Sequence, residues 1–400
     1  MSATGEAAPF SNEETMRRLG EPEVAAAGLA AVAALRDGSA APLAAFAADE
    51  ARARTAAFAA SLQGLGPRLA ALPDVAVVPA ALREHLAGEA ARCAARGERI
   101  LGLLARLEEL LATSGLRAVP LKGAALVLGK EVPAGLRPMA DLDLLFDSEA
   151  GLRAAAARIG DALGYAPLWN TRRHLVLAER EERVPFPACE HPENPLRIEL
   201  HRSFRLEVLG SVLDATDALR RDPIRAGAWA LPSRSALVRH LLFHAAEDFA
   251  AKGLRGVQAY DFAALARTSG PLAIPELRRG ERGPVALAAH AVERLFPGTF
   301  EPGALERAAR GVSPRALDRA AELPVLRHSR PARGWTATAL GLVDGTLRAA
   351  RFLLRTLLPS LDEVRANVAP DASGARLAAA WAGVLTRRLA SGAPRRLARR

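Results

Sequence analysis

Cysteine is almost missing from this chain of 400 residues, which contains only Cys93 and Cys189. Two cysteines cannot build a disulfide framework or a cysteine zinc site. Long apolar runs are missing too, because no stretch approaches the roughly 18–20 apolar residues of a membrane span. The first residues also lack the basic-then-apolar pattern of a secretion signal. We therefore expect a cytoplasmic protein that makes no use of a membrane.

Aromatic residues are scarce as well, at 4% of the chain, although half of all residues are apolar. The core must therefore be built mostly from Ala, Leu and Val. A chain of this length can bury a sizeable core in two or three domains. Charged residues make up 24%, which argues against general disorder.

Lysine is the third scarce residue: Lys122, Lys130 and Lys252 are the only lysines among 54 basic residues. The net charge is +10, but six arginines lie between Arg387 and Arg400 with no acidic residue among them. Without them the charge is +4, that is, +10 minus 6. We interpret 386–400 as a solvated basic tail, which supports nucleic-acid binding only weakly.

The periodicity of the apolar residues divides the chain into parts. Spacings of three and four residues predict helices throughout 1–112. Short alternating segments then predict a β-α-β-α-β-β core over 113–205. From Leu206 to 385 the periodicity is helical again, which predicts a C-terminal helical domain. The expected class is α+β, a small mixed sheet with helices between two helical regions.

Asp141 and Asp143 lie two apart in a predicted strand, so both point to one face of it. Two carboxylates this close repel each other unless a cation lies between them. Glu199 and His201 share a strand face in the same way. If the two strands pair, three carboxylates meet, as in sites that bind two metal ions for phosphoryl transfer.

Lys122 and Gly123 stand upstream, where a predicted strand turns into a helix. Glycine allows close approach of the backbone to a phosphate, and a helix start offers free N–H groups. Lys122 could neutralise a triphosphate. Alone this pair indicates an ordinary turn, but the order of turn, Asp-x-Asp and later strand glutamate is far more specific.

The sequence at this point resembles the uncharacterised nucleotidyltransferase family of the polymerase-β superfamily. The resemblance rests on LKGAAL, on RPMADLDLL at 137–145 and on IELH at 198–201, and it covers roughly residues 85–270. It implies a polymerase-β-like core and an enzyme that transfers a nucleoside monophosphate from an NTP, expected to be ATP. The implied acceptor is a small molecule, peptide, protein or RNA.

By the same resemblance, Mg²⁺ or Mn²⁺ would be held by Asp141, Asp143 and Glu199, and the phosphates by Gly123 and Lys122. Arg137 would be a further phosphate contact, and His201 would contact the metal ligands or the substrate. In the helical region that follows, His244 and Asp261 would pack the helical domain against the active site.

Two alternatives stay open from the sequence. Ala124 follows Gly123 where the superfamily usually has glycine or serine, so no hydroxyl is available at the turn. The chain could therefore be an inactive nucleotide- or RNA-binding module, or a structural partner in a biosynthetic or toxin–antitoxin system.

His240, His244 and Asp248 share one helical face and could bind a metal, although a buried histidine bonded to a neighbour is the commoner case.

Overall fold

The computed structural model of the chain describes residues 21–171, 173–179, 194–323 and 373–391, together with Arg18, 325–326, 340–343, 349, 352 and 364. Its N-terminal part is helical, as the apolar spacing predicts. The helices are α1 (Pro22–Asp37), α2 (Ala41–Phe46), α3 (Glu50–Gln63), α4 (Gly66–Ala70) and α5 (Ala80–Thr113). Short 3₁₀ segments occur at Val75–Val77 and Ala134–Leu136.

The α/β segment follows α5. Its elements are β1 (Ala118–Pro120), α6 (Lys122–Leu128), β2 (Asp141–Phe146), α7 (Glu149–Leu163), β3 (Ala166–Asn170), β4 (His174–Ala178) and β5 (Arg197–His201). α7 begins and ends at sequence signals: the Ser148 side chain accepts the Gly151 N–H, and Gly164 takes a left-handed φ of 74°.

These strands form one sheet in the order β1-β2-β5-β4-β3. The central pair, β2 and β5, is parallel and the other pairs are antiparallel. In the central register Asp143 lies opposite Glu199. The predicted class, a small mixed sheet among many helices, is confirmed.

Alternation gives the sheet an apolar face and a polar face. Leu142, Leu144, Ile198 and Leu200 are fully buried on the first, against the C-terminal half of α5 and against α7. The opposite face, which we call the polar face, carries the acidic and histidine side chains of β2 and β5. The predicted site residues of β2 and β5 therefore lie together on the polar face.

The strand predictions miss five elements. β3 was not predicted, because it is largely exposed and shifts register between Pro167 and Trp169. Between Leu206 and residue 231 the expectation of helix is wrong except at Thr216–Arg220. Two hairpins lie there, formed by β6 (Arg205–Val208) with β7 (Ser211–Asp214) and by β8 (Ile224–Ala226) with β9 (Trp229–Leu231). The strict alternation of polar and apolar residues along β6, which matches its exposed and buried positions, could have indicated this strand.

The helical periodicity does hold for the rest of the C-terminal part that the structure describes. The helices are α8 (Thr216–Arg220), α9 (Arg234–Lys252), α10 (Gly256–Ser269), α11 (Arg282–Leu295), α12 (Ala304–Ala309), α13 (Pro314–Glu322) and α14 (Gly374–Ser391). None of the described helices combines the length and apolar character needed to cross a membrane. Of the predicted basic tail, 392–400 lie outside the described residues, as does Cys189.

Two apolar cores hold the described residues together around the site. One unites the N-terminal helices with α9 to α13, and the other joins the sheet to α7. α5 belongs to both, through Leu82 and Leu86 at one end and Ile100 to Leu111 at the other. The helical regions on either side of the α/β segment thus share a core, and the boundaries at 112, 205 and 385 stay predictions.

Two glycines of α5 should respond in opposite ways to replacement by alanine. A Cβ on Gly97 would lie 2.8 Å from backbone atoms of Ala134 and Gly135, whereas nothing lies within 4 Å of one on Gly102. We expect Gly97→Ala to lower the free energy of unfolding by about 1–3 kcal/mol through overpacking. Gly102→Ala should raise it by about 0.5–1 kcal/mol, because alanine favours the helix.

Urea unfolding followed by circular dichroism measures both variants. Gly102→Ala is the matched control for helix propensity. A stabilising Gly97→Ala would contradict the close packing of α5 on the segment before β2.

Candidate active site

The polar face brings three of the predicted residues into one cluster. Asp143, Glu199 and His201 each offer a ligand atom, and these atoms lie within 4.8 Å of one another. Asp143 and Glu199 are neighbours because β2 and β5 pair in parallel register. Asp141 lies two residues before Asp143 on the same face, but it does not belong to this cluster.

Lys122 reaches the cluster from the start of α6. Its Nζ donates to Oδ1 of Asp143 at 2.7 Å. The residue has a φ of +46°, a left-handed conformation that residues other than glycine rarely adopt. Such a backbone costs on the order of 1–3 kcal/mol, so the surroundings must hold it in place.

Asp143 is the most buried of the three carboxylates on the polar face, with 3% of its surface exposed. Burial alone would raise its pKa, but the charge of Lys122 and the hydrogen bond from His201 hold the pKa well below its usual value. Burial likewise disfavours the charged Lys122, yet Asp143, Asp141 and Glu199 together raise the pKa of Lys122. Asp143 and Lys122 therefore remain charged at neutral pH.

His201 lies between the two carboxylates. Its Nε2 is 2.9 Å from Oδ1 of Asp143 and 3.6 Å from Oε2 of Glu199. Burial lowers the pKa of His201, but the hydrogen bond with Asp143 and the nearby Glu199 carboxylate outweigh it and raise the pKa above its ordinary value. The ring of His174 on β4 lies 5.3 Å from that of His201. Sequence reasoning missed His174, because its position beside His201 follows from the register of β4 against β5.

Asp141 has the opposite electrostatics from Asp143. Burial and the neighbouring charge of Asp143 raise its pKa to about 6, and Lys122 only partly offsets them. Within the described part of the chain its carboxylate has no hydrogen-bond donor. An acidic side chain with a shifted pKa beside a polar cavity is a candidate functional residue.

Gly123 and Arg137 meet in the structure. A Cβ on Gly123 would collide with Nη1 of Arg137 and Sδ of Met139, so both side chains would have to shift. Nε and Nη2 of Arg137 donate to the Asp261 carboxylate at 2.8–3.1 Å. The guanidinium is thus held over Gly123 by α10, and Asp261 joins the helical region to the segment before β2.

A polar cavity of about 260 Å³ opens between the polar face and helices α9 and α10. On one side it is lined by Lys122, Gly123, Arg137, Asp141 and Asp143. The side formed by the helices includes His244, Asp248, Lys252, Arg255 and Gln258.

In the helical wall of this cavity, sequence reasoning had singled out His244, Asp248 and Asp261 but not Arg255 or Gln258. Asp248 accepts from Gln258 at 2.8 Å and lies 3.1 Å from Lys252. His240, His244 and Asp248 do not form a metal-ligand cluster among the described residues. The scarcity of lysine was the available signal, because Lys122 and Lys252 both line the cavity.

Comparison with known families decides the relationship of the chain. The sequence model of a family described as an uncharacterised nucleotidyltransferase matches residues 49–289, which is more than half of the chain. The chain belongs to this nucleotidyltransferase family. Comparison with curated proteins and with solved structures yields no match. The matched region includes α5, the whole sheet and the cavity-lining helices, so the family's common part contains the site.

Replacing the two aspartates of the polar face should have opposite effects on stability in metal-free buffer. Asp143→Asn removes the buried charge that is bonded to Lys122 and His201 and should lower the free energy of unfolding by about 3–5 kcal/mol. Asp141→Asn removes a poorly solvated charge and should raise it by about 1 kcal/mol at pH 7.

The gain from Asp141→Asn should depend on pH. The pKa of Asp141 is about 6 in the native state and near the ordinary value of 3.8 in the unfolded chain. The native state therefore holds the Asp141 proton more tightly. Wild-type stability therefore falls as the pH rises from about 4 to about 6, and the variant lacks this contribution. Urea unfolding in EDTA at several pH values measures the difference. Equal losses for both variants at pH 7 would contradict the assignment.

Proposed function

We propose that the protein transfers a nucleoside monophosphate from an NTP, with ATP the expected donor, to a hydroxyl or amine of an acceptor. The observation that carries this proposal is the pairing of Asp143, which lines the polar cavity, with Glu199 on the adjacent parallel strand. Membership in the nucleotidyltransferase family supports the same chemistry.

The donor set of the site fits a divalent cation. Carboxylate oxygens are the ligands that Mg²⁺ and Mn²⁺ prefer, and Asp143 and Glu199 each place one within 4.8 Å of the other. Asp141 adds a third carboxylate on the same face, with no donor bonded to it in the described part of the chain. Asp141, Asp143 and Glu199 would hold the metal, and His201 would keep Asp143 and Glu199 in place.

The charges around the cavity suit a triphosphate. Lys122 lies at the carboxylate cluster with about a quarter of its side chain exposed, so its ammonium can contact a phosphate oxygen bound beside Asp143. Arg137 is held by Asp261 through Nε and Nη2, while its Nη1 lies against Gly123 at the cavity wall. In this proposal Gly123 serves the phosphates indirectly, by leaving room for the Arg137 guanidinium.

The proposed reaction is an in-line displacement at the α-phosphorus. The acceptor oxygen or nitrogen forms the new bond to phosphorus, and its proton passes to solvent water as the bond forms. The bond between the α-phosphorus and the bridging oxygen breaks, and pyrophosphate leaves. A divalent cation at the carboxylates would neutralise the charge that develops on the phosphate oxygens.

One observation favours the alternative of a binding module without turnover. Lys122 and His201 already neutralise Asp143 from within the protein. A nucleotide could then bind beside the positive charges of Lys122 and His201, which would take the place of a metal. Binding and turnover must therefore be measured separately.

The first experiment measures binding, which needs no acceptor. Each NTP is added with and without Mg²⁺, and the midpoint of thermal unfolding is recorded. A nucleotide at 100 times its Kd should stabilise the native state by about 2.7 kcal/mol. We expect this stabilisation to require Mg²⁺ and to be lost in the double variant Asp141→Asn, Asp143→Asn.

The second experiment measures transfer of label from α-³²P-NTPs to candidate acceptors. The double variant should lower transfer by at least about 100-fold, because the charge stabilisation at the α-phosphate is gone. Asp161→Asn, an exposed acid on α7, is the matched control and should retain full activity. Label transfer that survives in the double variant would refute the proposed site. Nucleotide-dependent stabilisation without transfer to any acceptor would favour the binding module.

A further inference from the structure

His240 lies on α9, fully buried, and it contacts the site through the backbone of Lys122. Its Nε2 accepts the Lys122 N–H at 3.2 Å, across 118 positions of sequence. This bond joins the helical region directly to the residue with the left-handed backbone. It is a different contact from the one that the Lys122 side chain makes with Asp143.

The protonation of His240 follows from its surroundings. Because Nε2 accepts a hydrogen bond from an amide, the neutral ring must carry its proton on Nδ1. Burial, together with the charges of His244 and Lys122, keeps the pKa of His240 well below its ordinary value. The ring therefore stays neutral and keeps Nε2 available as an acceptor.

The same ring leaves a polar atom without a partner. Nδ1 of His240 is buried and bonds to nothing that the structure describes. The ring packs edge-on against Phe204, with a centroid separation of 4.1 Å. A phenylalanine or leucine would satisfy such an apolar environment better, since an unpaired buried N–H is costly. The acceptor at Nε2 is the property that distinguishes histidine at this position.

We propose that His240 is a positioning residue for Lys122, which fixes its left-handed backbone so that the ammonium points to Asp143 and the cavity. A left-handed residue without a fixed N–H can relax to a right-handed or extended conformation, which redirects its side chain. The consequence for nucleotide binding rests on the proposed function. The positioning itself is a property of the folded protein and can be measured without any substrate.

The scarcity of lysine makes the test direct. The full chain labelled with ¹³C,¹⁵N-lysine shows three lysine amides, from Lys122, Lys130 and Lys252. The signal lost in Lys122→Arg assigns Lys122. In His240→Phe we expect the Lys122 amide to exchange with solvent roughly tenfold faster, because its hydrogen bond is gone. We also expect the Lys122 ¹³Cε signal to move toward that of an unrestrained lysine.

Two further variants separate positioning from general stability. His240→Gln keeps an acceptor near the position of Nε2 and should preserve both Lys122 signals. His240→Asn is polar but too short to reach, so it should behave like His240→Phe. The amides of Lys130 and Lys252 should be unchanged in all of these folded variants. Equal acceleration of the three amides, or unchanged Lys122 signals in both His240→Phe and His240→Asn, would overturn the proposal.

Nucleotide binding gives the functional readout. The Kd for Mg²⁺-ATP, measured by calorimetry, should rise about fivefold to tenfold in His240→Phe and stay near the wild-type value in His240→Gln. Unchanged affinity in His240→Phe would overturn the functional part of the proposal. If the Lys122 signals respond as expected while wild-type protein binds no nucleotide, the positioning stands and the proposed function fails.

Discussion

The buried carboxylate of Asp143 is the constraint on which the site depends. A lone ionised carboxylate is expensive to bury, so it needs positive charge and hydrogen-bond donors beside it. Lys122 and His201 supply both, at 2.7 Å and 2.9 Å. Each of them comes from a different element, which means that α6, β2 and β5 must assemble together before the charge is compensated.

This requirement extends into the helices. Lys122 reaches Asp143 with a strained backbone, and that backbone is bonded to His240 on α9. A second link runs from Arg137, beside Gly123, to Asp261 on α10. The sheet and the helical wall of the cavity are thus joined by polar contacts made at the site itself. Movement of either helix would disturb the charges that surround the proposed substrate.

Much of the fold could be predicted because local patterns carry it. Helix spacing, the Ser148 cap and the glycine at 164 mark α5 and α7 correctly, and alternation marks β2 and β5. The hairpins between 205 and 231 were missed because strands of three or four residues offer too short a pattern to outweigh helical spacing nearby. The exposed strand β3 was missed because it lacks the alternation of a half-buried strand.

The sequence by itself determined that Asp141 and Asp143 share one strand face, that Glu199 and His201 share another, and that Lys122 and Gly123 lie at a turn. Period-two geometry suffices for that. Only the tertiary structure decided that β2 and β5 are parallel neighbours, which places Asp143 beside Glu199. It also decided that Asp143, rather than Asp141, receives Lys122, and that the two pKa values move apart. Strand pairing and the approach of α9 bring together residues more than 50 positions apart, and no local pattern encodes such contacts.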